Sequence, residues 1–275
     1  MRVVRRFLRS SALHAFGMLT PNLASSWFER VLLTPRATPP VPAGAPAAVR
    51  AQRQIPYLAG QLAVEVWSDG PPVLLLHGWG GNARDLHTYI DPLVARGFSV
   101  VSVDFPAHGS SAGRRTNLLE CADATGLVAS GLPPLAGIVA HSFGAAAAAM
   151  ALARGAVLSE RTVMLGPPAD IPSLSFRVVD RMGLPRHVAE RMYARLAARL
   201  QFSWEEIRTD RLVARSKTSL LVVHDEEDEV VPWSHGAAVA RAAERSRLYT
   251  TSGLGHRGTL VDTNVVRGVV EFMAG

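Results

Sequence analysis

The segment AGIVAHSFGAAAAAMALA (136–153) constrains this chain more than any other. An apolar run with β-branched residues ends at His141-Ser142-Phe143-Gly144 and passes without a spacer into an alanine-rich stretch. A strand must therefore turn sharply into a helix around one serine. Bulk beside such a turn would collide with neighbouring backbone; Gly144 has none and Ala140 adds only a methyl group. The turn lifts the serine hydroxyl above the sheet, where the unpaired N–H groups of the first helical turn face the same point. A serine that merely caps a helix after a buried strand also fits this segment, so the rest of the chain has to decide.

Around this segment, short apolar runs alternate with longer helical stretches. Strands are expected at 62–67, 73–77, 98–104, 136–141, 162–166, 219–224 and 246–251, and helices near 83–96, 118–130, 143–154, 234–244 and 259–273. The runs at 73, 98, 136, 162 and 219 are apolar on both faces, as strands are when helices cover both sides of a sheet. The pattern predicts an α/β fold with a mostly parallel central sheet flanked by helices. With 275 residues, 48% of them hydrophobic, one such domain has ample core and a second full domain is not expected. From Pro167 to about Ser216 no strand signal appears, while PRHVAERMYARLAARL (185–200) is helical, so a small helical cap at about 167–216 is expected. Residues 35–48 (PRATPPVPAGAPAA) read as an extended linker, and the sheet-bearing domain as 49–275.

Residues 1–34 open with Arg2, Arg5, Arg6 and Arg9 among apolar residues. Arg9, Ser10, Ser11 and His14 interrupt the apolar run that a secretory signal needs, and no stretch has the apolar length of a membrane span. Phe7, Leu8, Ala12, Leu13, Phe16 and Leu19 instead recur at helical spacing. An amphipathic helix of this kind packs on its own protein, the favoured reading, or lies on an anionic membrane surface, which stays open. The expected location is cytoplasmic, with or without that peripheral contact. The formal charge is +6, with Lys217 the only lysine; beyond the first nine residues the arginines are scattered among acids, which argues against a nucleic-acid partner. Cys121 is alone, so neither an intrachain disulfide nor a thiolate metal cluster is available.

A second glycine-rich turn stands at VLLLHGWGGN (73–82), where a buried strand ends in His77-Gly78-Trp79-Gly80-Gly81. A third strand runs into VVSVDFPAHGSSAG (100–113), a fourth into LLVVHDEEDEVVPW (220–233), and the last short one into TTSGLGHRGTL (250–260). In this combination and order the chain resembles the α/β-hydrolase superfamily over about residues 50–275. The resemblance implies a serine hydrolase of the esterase/lipase kind with Ser142 as nucleophile, His256 as base and Asp228 as the acid that orients the histidine. It also implies an oxyanion hole formed by the backbone N–H groups of Trp79 and Phe143. His77, Asp104 and His108 are then expected to shape loops, and Ala107 replaces one glycine of the family's loop pattern.

Asp225 rivals Asp228 but sits at the strand end, where it would hold the loop. Glu226, Glu227 and Glu229 read as solvated; a serine mechanism gives a metal no task, so neither metal nor cofactor is expected. The expected substrate is a small carboxylic ester, with apolar cap residues such as Phe176, Met192 and Trp204 suited to a hydrophobic acyl group, although they would serve equally to pack the cap. Lipase, lysophospholipase, thioesterase, acyltransferase, C–C hydrolase and peptidase chemistry stay open on the same residues. A noncatalytic binding protein of this fold is the second class, disfavoured because all three groups are present.

Overall fold

Strands that are apolar on both faces have no polar side to place, and they occupy the middle of an eight-stranded sheet. The computed structural model describes residues 2–37 and 49–275, residues 2–10 by backbone alone; most of the expected 35–48 linker lies outside the described residues. The strands are β1 (Ala51–Tyr57), β2 (Gly60–Trp67), β3 (Pro72–Leu76), β4 (Ser99–Val103), β5 (Leu135–His141), β6 (Ser159–Leu165), β7 (Ser219–Asp225) and β8 (Ser246–Thr251), in the order β1-β2-β4-β3-β5-β6-β7-β8. From β4 to β8 all neighbours run parallel, while β2 pairs antiparallel with β1 and β4. β3 and β4 are buried along their whole length. β1 (AQRQIPY) has no apolar periodicity and contains Pro56. It exists because β2 pairs with it from Ala51↔Val66 to Tyr57↔Gly60, and an edge strand tolerates proline.

Chain Pro35–Ala169 and Arg208–Gly275 forms the sheet-bearing unit. Its helices include α3 (Ile90–Ala95), α4 (Leu118–Ser130), α5 (Phe143–Ala153), α8 (Thr209–Val213), α9 (Trp233–Ala242), α10 (Gly255–Gly258) and α11 (Thr263–Ala274), numbered with the four helices of the second unit below. The stretch expected as one helix over 83–96 is a 3₁₀ helix (Ala83–Tyr89), kinked at Leu86 and followed directly by α3. The helix expected over 259–273 begins only at Thr263, because the Asp262 side chain caps α11 by accepting from Asn264 and Val265 N–H. Asn117 caps α4 in the same way. Trp67, Leu86, Tyr89, Ile90 and Leu93 pack with Leu260, Val265, Val269 and Met273 in the main core. Tyr89 keeps its hydroxyl paired there, donating to the Thr259 carbonyl at 2.7 Å.

The remaining unit joins two distant pieces of chain, Met1–Thr34 and Asp170–Ile207. It contains α1 (Arg2–Leu19), α2 (Pro21–Leu32), α6 (Ile171–Met182) and α7 (Arg186–Leu200). Ala24 and Phe28 of α2 share one core with Val179, Val188, Ala189, Met192 and Tyr193. The buried Glu29 carboxylate lies 2.9 Å from Arg195 and 2.8 Å from Arg199. Burial would raise its pKa, but the two guanidinium groups outweigh that and hold it low. Of the helices between β6 and β7, α6 and α7 belong to this unit and α8 to the sheet-bearing one.

One contact fixes where α5 starts. A Cβ on Gly144 would stand 2.5 Å from the His77 carbonyl oxygen and 2.6 Å from that of Leu76. Both are backbone at the end of β3 and cannot rotate away. Gly144→Ala is expected to cost at least ~2 kcal/mol of stability, read as a lower urea midpoint with an unchanged m-value.

Candidate active site

Ser142 joins β5 to α5 with φ 51° and ψ −118°, a backbone conformation that L-residues rarely adopt. Holding it costs on the order of 1–3 kcal/mol, so the surroundings must over-determine it. They do so from both sides: Ser142 N–H donates to the Leu165 carbonyl at 2.8 Å, and the Ser142 carbonyl accepts from Ala145 N–H at 2.9 Å. Gly78 brings the loop after β3 against this turn. A Cβ there would lie 2.8 Å from His141 Nδ1 and 3.3 Å from Ser142 Cβ. Trp79 follows within a turn closed by Gly81 N–H on the Gly78 carbonyl (3.1 Å), and its ring meets that of Phe143 edge to face at 4.9 Å. Among the described residues no acceptor takes the backbone N–H of Trp79 or Phe143.

His256 Nε2 stands 3.0 Å from Ser142 Oγ, and His256 Nδ1 2.6 Å from Asp228 Oδ2. Asp228 Oδ1 accepts from the N–H groups of Val230 and Val231, both at 2.8 Å. Burial of Asp228 would raise its pKa, but hydrogen bonds from His224, His256 and Val231 N–H prevail and keep it far below the ordinary carboxylate range. Asp225, the alternative acid, is spent elsewhere: it accepts from Thr251 Oγ1 (2.7 Å) and from the N–H groups of Glu227, Leu254 and Gly255. Those bonds tie the end of β7 to the loop that carries His256. Gly166, with φ 57° just beyond β6, keeps that side open, since a Cβ there would sit 3.2 Å from His256 Nδ1.

Around these groups stand buried histidines whose protons are placed by their partners. His77 donates Nδ1–H to the Gly78 carbonyl (2.7 Å) and accepts Phe105 N–H on Nε2 (3.0 Å), which orders the loop after β3. His141 donates Nε2–H to the His256 carbonyl at 3.1 Å and tethers the base loop to the serine's own strand. His108 donates to the Pro106 carbonyl at 2.9 Å and packs its ring 5.1 Å from Trp79. His224 Nε2 donates to the Val231 carbonyl at 2.9 Å and lies 3.4 Å from Asp228 Oδ2. Asp104 holds the neighbouring loop, accepting from Ala83 N–H (2.6 Å) and Ser110 N–H (2.7 Å). Ala107 occupies the left-handed region (φ 63°), where a glycine would carry no strain. Sequence inspection singled out neither His224 nor Gly166; each stands at a strand end with no pattern to mark it.

Burial drives His77 down to about 3 and lowers His141 and His108 as well. The unfolded chain takes up these protons at its ordinary value near 6.5 while the folded chain resists them, so stability is full above that pH and declines as pH falls below it. The unfolding free energy from urea titrations should fall between pH 7 and pH 4, by up to about 1.4 kcal/mol per pH unit for each such histidine. His108→Gln should flatten the slope.

The fold agrees with known proteins. The alpha/beta hydrolase family model matches residues 73–267, and the chain belongs to that family. A serine hydrolase-like protein of Danio rerio is 41% identical over 63 residues, which span 22% of this chain and 19% of that protein. The human serine hydrolase-like protein is 44% identical over 54 residues, 19% of this chain and 26% of its own length. This chain thus matches about a fifth to a quarter of the length of these curated relatives. Among solved structures, Est1E from Butyrivibrio proteoclasticus with ferulic acid bound aligns with a TM-score of 0.63 at 19% identity, over 81% of this chain and 100% of that one. A meta-cleavage product hydrolase from Pseudomonas fluorescens aligns at 0.60 and 18% identity, over 80% and 96%. The thioesterase domain of the curacin biosynthetic pathway aligns at 0.61 and 14%, over 81% and 98%.

Proposed function

We propose that this chain is a serine hydrolase that cleaves carboxylic esters through an acyl-enzyme intermediate. The observation that carries the reading is the unbroken chain Ser142 Oγ to His256 Nε2 at 3.0 Å and His256 Nδ1 to Asp228 Oδ2 at 2.6 Å. A serine hydroxyl is a weak nucleophile until a base takes its proton. His256 accepts that proton as Oγ attacks the ester carbonyl, and the Trp79 and Phe143 N–H groups receive the charge on the oxyanion. Collapse of the tetrahedral adduct breaks the C–O bond, and His256 returns the proton to the leaving alcohol. A water then attacks the acyl-serine, giving its proton to His256, and Ser142 is restored with release of the acid. Asp228 stays ionised throughout and holds the Nδ1–H tautomer.

The partly exposed Trp79 and Phe143 rings flank the serine and favour an apolar acyl group. An ester-type substrate accords with Est1E, whose structure holds ferulic acid. A noncatalytic role on this fold gives the strained Ser142 backbone and the aligned imidazole nothing to do.

Ser142→Ala is expected to abolish turnover of p-nitrophenyl esters and labelling by a serine-directed fluorophosphonate, whereas Asp228→Asn should lower kcat by about 10⁴ with little change in KM. Wild-type turnover in Ser142→Ala, or labelling at another serine in active protein, would overturn the assignment. An ester series failing where a thioester series succeeds would transfer the substrate class and leave the residues in place.

A further inference from the structure

The chain's formal charge is not evenly shared between its two units. Over residues 1–34 and 170–207 there are eleven arginines against six acidic residues, so the smaller unit carries +5 of the total +6. Arg2, Arg5, Arg6 and Arg9 precede any acid in the sequence, and Glu29, the first, is buried between Arg195 and Arg199.

The same unit presents aliphatic side chains to water. Of nine large hydrophobic residues exposed among those described, Met18, Leu19 and Leu23 fall within six positions, at the corner where α1 passes into α2. Leu19 is 81% exposed and Leu23 65%. Scattered exposed leucines need no explanation, but three at one corner form a patch. The corner is firmly held. A Cβ on Gly17 would stand 2.5 Å from the Pro185 ring, His187 Nε2 donates to the Gly17 carbonyl at 3.1 Å, and the Thr20 hydroxyl donates to the Phe16 carbonyl at 2.9 Å. Leu13 and Phe16 turn inward to the shared core, so the aliphatic residues left outside are not surplus core waiting to fold in.

We infer that the smaller unit docks on an anionic lipid surface, with Met18, Leu19 and Leu23 seated among the acyl chains just below the headgroups and the arginine excess facing the lipid phosphates and carboxylates. Two terms are needed for stable attachment, an apolar insertion and an electrostatic attraction, and both stand on this unit. Nucleic acid would satisfy the charge and leave the leucines in water. None of the described helices is long and apolar enough to cross a membrane, so the contact is one of surface attachment. The inference stands apart from the proposed chemistry.

Sedimentation of the full chain with phosphatidylserine-containing and pure phosphatidylcholine vesicles tests it. Binding should require the anionic lipid and weaken steeply as salt rises. Met18→Ser, Leu19→Ser and Leu23→Ser combined should reduce binding on the order of 10²-fold, and Gln at positions 2, 5, 6 and 9 by roughly 10²–10³-fold. Leu158→Ser, an equally exposed leucine on the other unit, should change nothing. If the triple variant loses its helical circular dichroism, Leu23→Ser alone replaces it, with a smaller but measurable loss expected. Equal binding to neutral vesicles, undiminished binding of the apolar variants, or tighter binding to a DNA duplex that these variants retain would each overturn the inference. Hydrolysis of a water-soluble ester by the same variants should match wild type, which separates failure here from failure of the proposed catalysis.

Discussion

Everything at the candidate site depends on the left-handed backbone of Ser142. A residue kept at φ 51° survives only where both of its peptide groups are committed, and here β6 takes the N–H while the first turn of α5 takes the carbonyl. Two close approaches follow from it. Gly144 lets α5 begin against the carbonyls at the end of β3, and Gly78 lets the next loop lie against the serine itself. Strain at one residue therefore dictates small residues both nearby, at Gly144, and far away in sequence, at Gly78, and the sheet transmits the requirement because β3, β5 and β6 are hydrogen-bonded neighbours.

Charge is handled by a division of labour among similar side chains. Asp225 and Asp228 lie three residues apart, yet one is saturated by loop donors and the other leaves one oxygen for His256. The histidines divide in the same way. His77 and His141 are locked by carbonyl acceptors and kept neutral by burial, so they stiffen loops; His256 faces the Ser142 hydroxyl instead. His224 lies behind the acid, sharing its Nε2–H between the Val231 carbonyl and the Asp228 carboxylate. On the proposed mechanism His256 is the imidazole that cycles through a charged form, and Asp228 is the ionised carboxylate beside it.

The central strands, the serine turn and both glycine-rich loops were legible because each depends on local chemistry: apolar runs and small residues at turns. β1 was not, since its pairing with β2 overrides a polar sequence with no period of its own. The kink at Leu86 inside the 3₁₀ helix was hidden in a continuous helical pattern. His224 carries no mark in sequence because its value lies in where strand β7 ends relative to a loop four residues on. Likewise the amphipathic pattern from Phe7 to Leu19 marked an apolar face without telling that Leu13 and Phe16 would pack on a core shared with α7. Such pairings are long-range, and periodicity speaks only for neighbours along the chain.

The discontinuous unit has a consequence for how the protein is made. α1 and α2 leave the ribosome before α6 and α7, and the side chains that complete the core around Phe28 belong to those two, more than a hundred residues later. The first helices therefore wait through synthesis of β1 to β6 with Ala24, Phe28 and the Glu29 carboxylate unpartnered, and close their core only after Leu200 has emerged. High sequence separation slows such closure, and in the interval the basic, amphipathic segment is the portion of the chain most open to chaperones, proteases or any acidic surface nearby.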